Sequence, residues 1–156
     1  MYLLMALLLA ATPGLTAPAG DSLVVEVAGH VTVMREADLM RLPRDTVTWS
    51  HHGTPHTYVG VRVTDLLRRL GVPIDTLRRG DITKRLVVEA ADGYRAVFTL
   101  AEMAPGLGSR EVLLADREDG RPLPPDVGPL RLVVPQDGSG ARSVWHVVAL
   151  RVRDEL

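Results

Sequence analysis

The chain is written in short apolar runs, each cut off by glycine, proline or an Asp-Gly pair. That punctuation points to a strand-rich fold, because short Val- and Leu-rich runs suit strands and are too short for packed helices. Ser22 to Val27 alternates and is β-branched, a turn at Gly29-His30 follows, and Val31 to Val33 continues extended, so the segment begins as a hairpin. Leu86 to Ala90, Asp92-Gly93 and Arg95 to Thr99 form a second hairpin by the preference for Asp-Gly in two-residue turns. Thr46 to Trp49, Glu111 to Ala115, Leu130 to Val134 and Val144 to Val152 supply further strands, and Asp119-Gly120 a further turn.

Helices are few and short. Glu36 to Leu42 places Ala37, Leu39, Met40 and Leu42 on one stripe that Pro43 ends. Asp65 to Leu70 reads as a helix capped by Thr64 and closed at Gly71, and Thr99 with Glu102 brackets a single turn. The segment from Ser50 to Tyr58 lacks an apolar period and contains Gly and Pro, so a loop is expected. In the last strand, Val144, His146, Val148, Leu150 and Val152 should share one face and Trp145, Val147, Ala149, Arg151 and Arg153 the other.

With 156 residues and 46% hydrophobic against 24% charged, one ordinary core is expected, without internal repeats or linkers. Eighteen Lys and Arg against nineteen Asp and Glu, with no basic stripe, leave nucleic acid without an electrostatic footprint. Residues 1–19 combine an apolar run with Ala17-Pro18-Ala19, the pattern of a signal peptide, although no basic residue precedes the run. Residues 20–156 are then a single periplasmic or secreted domain with no membrane span. Export usually accompanies disulfides, yet the chain has no cysteine, which also excludes thiolate metal sites and Cys nucleophiles.

The order Tyr58-Val59-Gly60-Val61, Thr64-Asp65-Leu66-Leu67, Ala91-Asp92-Gly93-Tyr94, Leu113-Leu114-Ala115 with Gly120 and Pro122-Leu123, then Gly128 through Pro135, resembles the oxidoreductase molybdopterin-binding domain of the sulfite-oxidase family. The resemblance covers roughly residues 22–153 and implies an α+β fold of mixed β-sheets with short helices. It also implies that a molybdenum-binding Cys would lie near Thr48, where Thr48-Trp49-Ser50 offers no thiol. Hydroxyls are poor substitutes for a soft thiolate. The short stand-alone members that the chain resembles imply a pterin-binding protein, a sensor or carrier without molybdenum whose occupancy a membrane-bound partner would read. The alternatives are a molybdopterin-dependent oxidoreductase with a non-cysteine metal ligand, and an adaptor that has lost its ligand.

A pterin needs a stacking face and a few polar groups for its donor–acceptor edge. Trp145, on the arginine-bearing face after the loop Gln136 to Gly140, is the leading stacking candidate, with core packing as the alternative. Arg142 is the expected donor, beside Ser143. Tyr94, after the Asp-Gly turn, is a rim contact or an ordinary hairpin aromatic, and Trp49 either covers the vacated metal position or belongs to the core. His51 and His52, with His56, are read as a ligand-contacting loop or as solvated residues. Their spacing lacks the regularity of zinc motifs and no nearby Cys or Glu completes a set, so no metal site is expected. Ser50, His52 and Asp92 make a triad only on paper, since no nucleophile-elbow pattern accompanies them.

Overall fold

The computed structural model describes residues 22–154, so the expected signal peptide lies outside the described residues. Two five-stranded sheets carry the fold. The first contains β1 (Ser22–Val27), β2 (His30–Arg35), β5 (Arg85–Ala90), β6 (Arg95–Thr99) and β10 (Val147–Arg153), in the order β2-β1-β10-β5-β6. Only the β1–β10 pairing is parallel; the others are antiparallel, which makes the sheet mixed as expected. The second contains β3 (Arg44–His51), β4 (Thr54–Arg62), β7 (Leu113–Glu118) and β8 (Arg121–Pro122) in that order, with β9 (Arg131–Val133) paired to β7. Three short helices, α1 (Glu36–Leu39), α2 (Val63–Arg69) and α3 (Leu100–Met103), connect them. No helix among the described residues is long and apolar enough to cross a membrane.

Strand parity divides the core in two. Val61, Leu114 and Leu132 share one face of the second sheet and join Leu23, Val25, Leu86, Val88, Phe98 and Leu150 of the first in the main core. The opposite face carries Val47, Trp49, Tyr58, Leu113, Ala115 and Val133, which form a smaller core with Leu123 and Val127. The second sheet is therefore covered on both sides, and this explains why Leu113 to Ala115 is continuously apolar rather than alternating.

Several expectations are corrected. The stretch 50–58 is no loop: β3 and β4 run together through a two-residue turn at His52-Gly53, where φ is 54° and 87°. Two successive positive φ values are the signature of a type I′ hairpin turn, which His-Gly does not advertise as Asn-Gly would. Helix α2 starts at Val63 rather than after Thr64, because the Val63 side chain is fully buried and its N–H donates to the Val112 carbonyl at 2.9 Å. Its end is as expected, with Gly71 at φ 82°. Helix α1 is shorter than expected, whereas α3 has the capping box, with Glu102 N–H donating to Thr99 Oγ1 at 3.1 Å and Thr99 N–H to Glu102 Oε1 at 2.9 Å. The last strand begins only at Val147: His146 has φ 49° and the register shifts between Val147 and Ala149, so the single alternating ladder from Val144 does not form.

At Gly60 the backbones of β4 and β7 leave no room for a side chain. A Cβ there would lie 2.0 Å from the Leu114 carbonyl oxygen and 2.6 Å from Ala115 Cα, both backbone atoms that cannot move alone. Gly60→Ala is expected to lower unfolding free energy by ~1–3 kcal/mol in urea denaturation, the usual range for overpacking. A loss below ~0.5 kcal/mol would mean the two strands separate freely.

On the outer face of the first sheet, Glu26 accepts from Arg153 Nη2 at 2.9 Å and from Arg151 Nη1 at 2.7 Å. Those guanidinium hydrogen bonds hold its carboxyl down at about 2, from an ordinary 4.5. A depressed carboxylate pKa contributes stability above the unfolded value and loses it as pH falls through the folded value. Melting temperature should therefore drop between pH 4.5 and about 2, and Glu26→Gln should remove part of that slope. An identical slope in the variant would assign it to other carboxylates.

Candidate functional site

The site is built on the outward face of the second sheet. Residues 47, 49, 56 and 58 point to that face by strand pairing, as do Ala115 and Arg131, which oppose one another in the β7–β9 pair. Arg131 is 5% exposed, so its guanidinium sits where hydrocarbon would be expected. Its Cζ lies 5.3 Å from the Trp49 ring centroid, 5.1 Å from Tyr58 and 5.7 Å from Trp145, three rings arranged around one cation. Nη1 donates to the Tyr58 hydroxyl at 3.1 Å, and Glu118 Oε2 is 3.7 Å from Nη1, too far for a hydrogen bond. The Arg131 Nε is buried and has no hydrogen-bond partner. Burial pushes the Tyr58 hydroxyl above its ordinary pKa, so it stays neutral beside the cation.

A cleft of about 250 Å³ opens over this guanidinium, lined by Arg131, Trp145, Tyr94, Ser143, His146 and the backbone at Gly140-Ala141. That volume is just under the ~300–1,000 Å³ usual for ligand pockets, a scale suited to a small ring system. The β5–β6 turn brings Tyr94 to the rim, where its hydroxyl donates to the Ala141 carbonyl at 2.6 Å. Ser143 is 6% exposed and accepts from Val134 N–H through Oγ at 3.4 Å, which ties the loop to the end of β9. His146 Nε2 lies 2.8 Å from the Asp126 carbonyl. A larger cleft of about 330 Å³ near Leu39, Leu123 and Leu130 offers Asp116, whose carboxylate is already bidentate with Arg44 at 2.6 and 2.7 Å.

Three of the expected site residues, Trp145, Ser143 and Tyr94, thus come together in one cleft. Trp145 is 47% exposed and stands before β10 rather than within a strand, so an exposed indole face, not core packing, is what it presents. Arg142 is placed elsewhere. Its Nε and Nη2 donate to Asp137 at 2.8 Å, its Nη1 to Glu102 at 3.2 Å, and its Cζ stacks 4.5 Å from the Phe98 centroid. That fork is committed within the protein: the Asp137 hydrogen bonds raise the Arg142 pKa, and Arg142 holds the Asp137 carboxyl below its ordinary range. Glu102, expected as a capping residue, also serves this clamp. Trp49 is 6% exposed and belongs to the smaller core. His51 and His52 fall at the β3–β4 hairpin end, and His52 is not among the residues that line the cleft.

Position 48 bears on the metal. Along β3, Val47 and Trp49 point inward, while Thr48 and Ser50 are exposed. The inward place in the stretch Thr48-Trp49-Ser50 is thus filled by an indole packed on Tyr58 at 6.3 Å between centroids.

Arg131 is the residue that sequence reasoning passed over. It sits inside an apolar run, Leu130 to Val134, all of it buried, and a lone Arg in a strand that is buried on both faces was the available signal.

The family model of the oxidoreductase molybdopterin binding domain matches residues 24–156. Among solved structures, the chain superposes on the sulfane dehydrogenase SoxCD from Paracoccus pantotrophus with a TM-score of 0.67 at 24% identity. The alignment covers 86% of this chain and 38% of that one, so the likeness is one of fold over a part of the larger chain. No curated protein matches.

Trp145→Ala is expected to leave the melting temperature within about 2 °C of the parent, because the ring is half exposed. Trp49→Ala removes a buried ring and should cost ~3–5 kcal/mol. Equal losses for the two variants would return Trp145 to the core.

Proposed function

Since the chain belongs to the oxidoreductase molybdopterin binding domain family, we propose that it binds the organic pterin half of such a cofactor, without molybdenum, in the cleft that Trp145 and Arg131 line. The observation that carries this reading is that Arg131, 5% exposed and with Nη1 on the Tyr58 hydroxyl, lines the cleft beside the half-exposed Trp145 ring. An acceptor brought by a ligand to the cleft side of the guanidinium would add a charge-assisted hydrogen bond. The oxo group of a flat bicycle stacked on the Trp145 face is such an acceptor. Stacking is worth ~1–3 kcal/mol and a hydrogen bond to a charged group ~1.5–3 kcal/mol. Together with one or two backbone bonds from the Gly140-Ala141 loop, these approach the ~8 kcal/mol of a micromolar complex.

The same residues do not fit molybdenum. The chain has no thiol, the hydroxyls of the Thr48-Trp49-Ser50 stretch face away from Arg131, and Trp49 closes the inward position. We therefore read the protein as an exported carrier or sensor that presents its occupancy to a membrane-bound partner, with cleavage after Ala19, rather than as an oxidoreductase with a non-cysteine metal ligand.

Titration calorimetry with pterin and 7,8-dihydropterin tests the assignment. Trp145→Ala should weaken binding tenfold to a hundredfold, equivalent to ~1.4–2.8 kcal/mol. Arg131→Lys should also weaken it, since an ammonium cannot reproduce the planar fork. Arg142→Lys should instead lower the melting temperature and leave the affinity of folded protein unchanged. Metal analysis of protein purified from a molybdenum-replete host should give far less than one molybdenum per chain. One-to-one metal, or pterin binding that ignores Trp145 and Arg131, would overturn the reading.

A further inference from the structure

We propose that His56, Glu118 and Asp119 form a binding site for one divalent transition-metal ion, separate from the pterin cleft. His56 on β4 and Glu118 at the end of β7 face the same side of the second sheet, and Asp119 follows in the turn. One ligand atom from each residue lies within 4.8 Å of the others. His56 Nδ1 is 2.7 Å from Asp119 Oδ2 and 3.3 Å from Glu118 Oε1.

Three features favour an ion over a plain surface cluster. First, bonds of ~2.1 Å in a tetrahedral site put ligand atoms ~3.4 Å apart. The His56–Glu118 separation already meets that spacing, and the His56–Asp119 one meets it after opening by less than ~1 Å. Asp119 Oδ2 is hydrogen-bonded to His56 Nδ1, a contact that an ion bound between the two atoms would replace, and being half exposed it can swing outward while Thr57 N–H holds the other oxygen at 2.9 Å and keeps the carboxylate oriented.

Second, the Glu118 side chain is only 19% exposed and is paired with His56 Nδ1 at 3.3 Å and, loosely, with Arg131 Nη1 at 3.7 Å. A largely desolvated carboxylate paired this loosely is better met by a cation in direct contact. A metal bound through Oε1 would supply that cation and leave Oε2 facing Arg131.

Third, the donor set is one imidazole nitrogen and two carboxylates, with the remaining coordination positions open to water. Imidazole selects zinc-like ions over magnesium, which prefers all-oxygen shells. Two carboxylates beside Arg131 leave the neighbourhood with one net negative charge when His56 is neutral, so the ion's charge is opposed by a single guanidinium only.

Titration calorimetry of the metal-stripped full chain with zinc chloride decides the matter, with magnesium chloride as the comparison. One zinc should bind per chain and magnesium should not compete at equal concentration. His56→Gln and Asp119→Asn should each weaken zinc at least tenfold, about 1.4 kcal/mol, while His52→Gln should bind as the parent does. Asp119→Asn keeps an acceptor for Thr57 N–H, so it separates loss of a ligand from loss of the turn; melts of each variant check folding. Absence of one-to-one zinc binding, equal binding of magnesium, or parental affinity in either His56→Gln or Asp119→Asn would overturn the proposal.

Discussion

Arg131 is held in hydrocarbon with an unpaired donor, and the second sheet is arranged to tolerate it. Desolvating a guanidinium costs several kcal/mol, which the loose ion pair with Glu118 at 3.7 Å offsets only in part. What compensates is weaker and spread out: three ring faces within 6 Å, one hydrogen bond to a Tyr58 hydroxyl kept neutral by burial, and a nearby carboxylate. Each partner depends on parity. Tyr58 and Trp49 reach Arg131 only because β3, β4 and β7 pair in the observed register, and a slip by one residue would turn those rings to the opposite face. Gly60 permits the close approach that fixes this register. The chain thus sustains a costly arrangement through its fold, and that cost is the premise of the ligand proposed for the cleft.

Much of the fold was legible before any coordinates. Asp92-Gly93, Gly71 and the Thr99–Glu102 capping box act through chemistry within a few residues, so the sequence states them directly. The β3–β4 hairpin was not legible, since its turn is His52-Gly53 and its register is set by Trp49 and Tyr58 finding the same core. The start of α2 was missed for a similar reason: burial of Val63 outweighed the capping preference of Thr64. Long-range geometry decides both.

The site shows the same division. Trp145 and Tyr94 were identifiable because large aromatics are rare in this chain. The choice between Arg142 and Arg131 was not, as it turns on which guanidinium already has partners. Arg142 lies five residues from Asp137 and is clamped by it, whereas Arg131 meets Tyr58 across a separation of 73 residues. His56 likewise gains Glu118 and Asp119 only through the pairing of β4 with β7, which is why three loop histidines looked short of ligands.

Two residues with left-handed backbone bear on the two proposed sites. Among the described residues, five that are not glycine have positive φ: Ala28, His52, Ser109, Asp119 and His146. Asp119 tolerates the left-handed region through its short polar side chain, and here that side chain is the one beside His56. His146 has no such excuse. It adopts φ 49° between Trp145 and the first residue of β10, with its N–H donating to the Val127 carbonyl at 3.0 Å. That conformation lets the chain leave the sheet before Val147, so Trp145 stands over the cleft rather than continuing the ladder. A non-glycine residue in this region costs of order 1–3 kcal/mol and persists only where its surroundings over-determine it. The strand ends where it does because the contacts of Val144, Val127 and Asp126 with this segment outweigh continued pairing, and the exposed indole is the result.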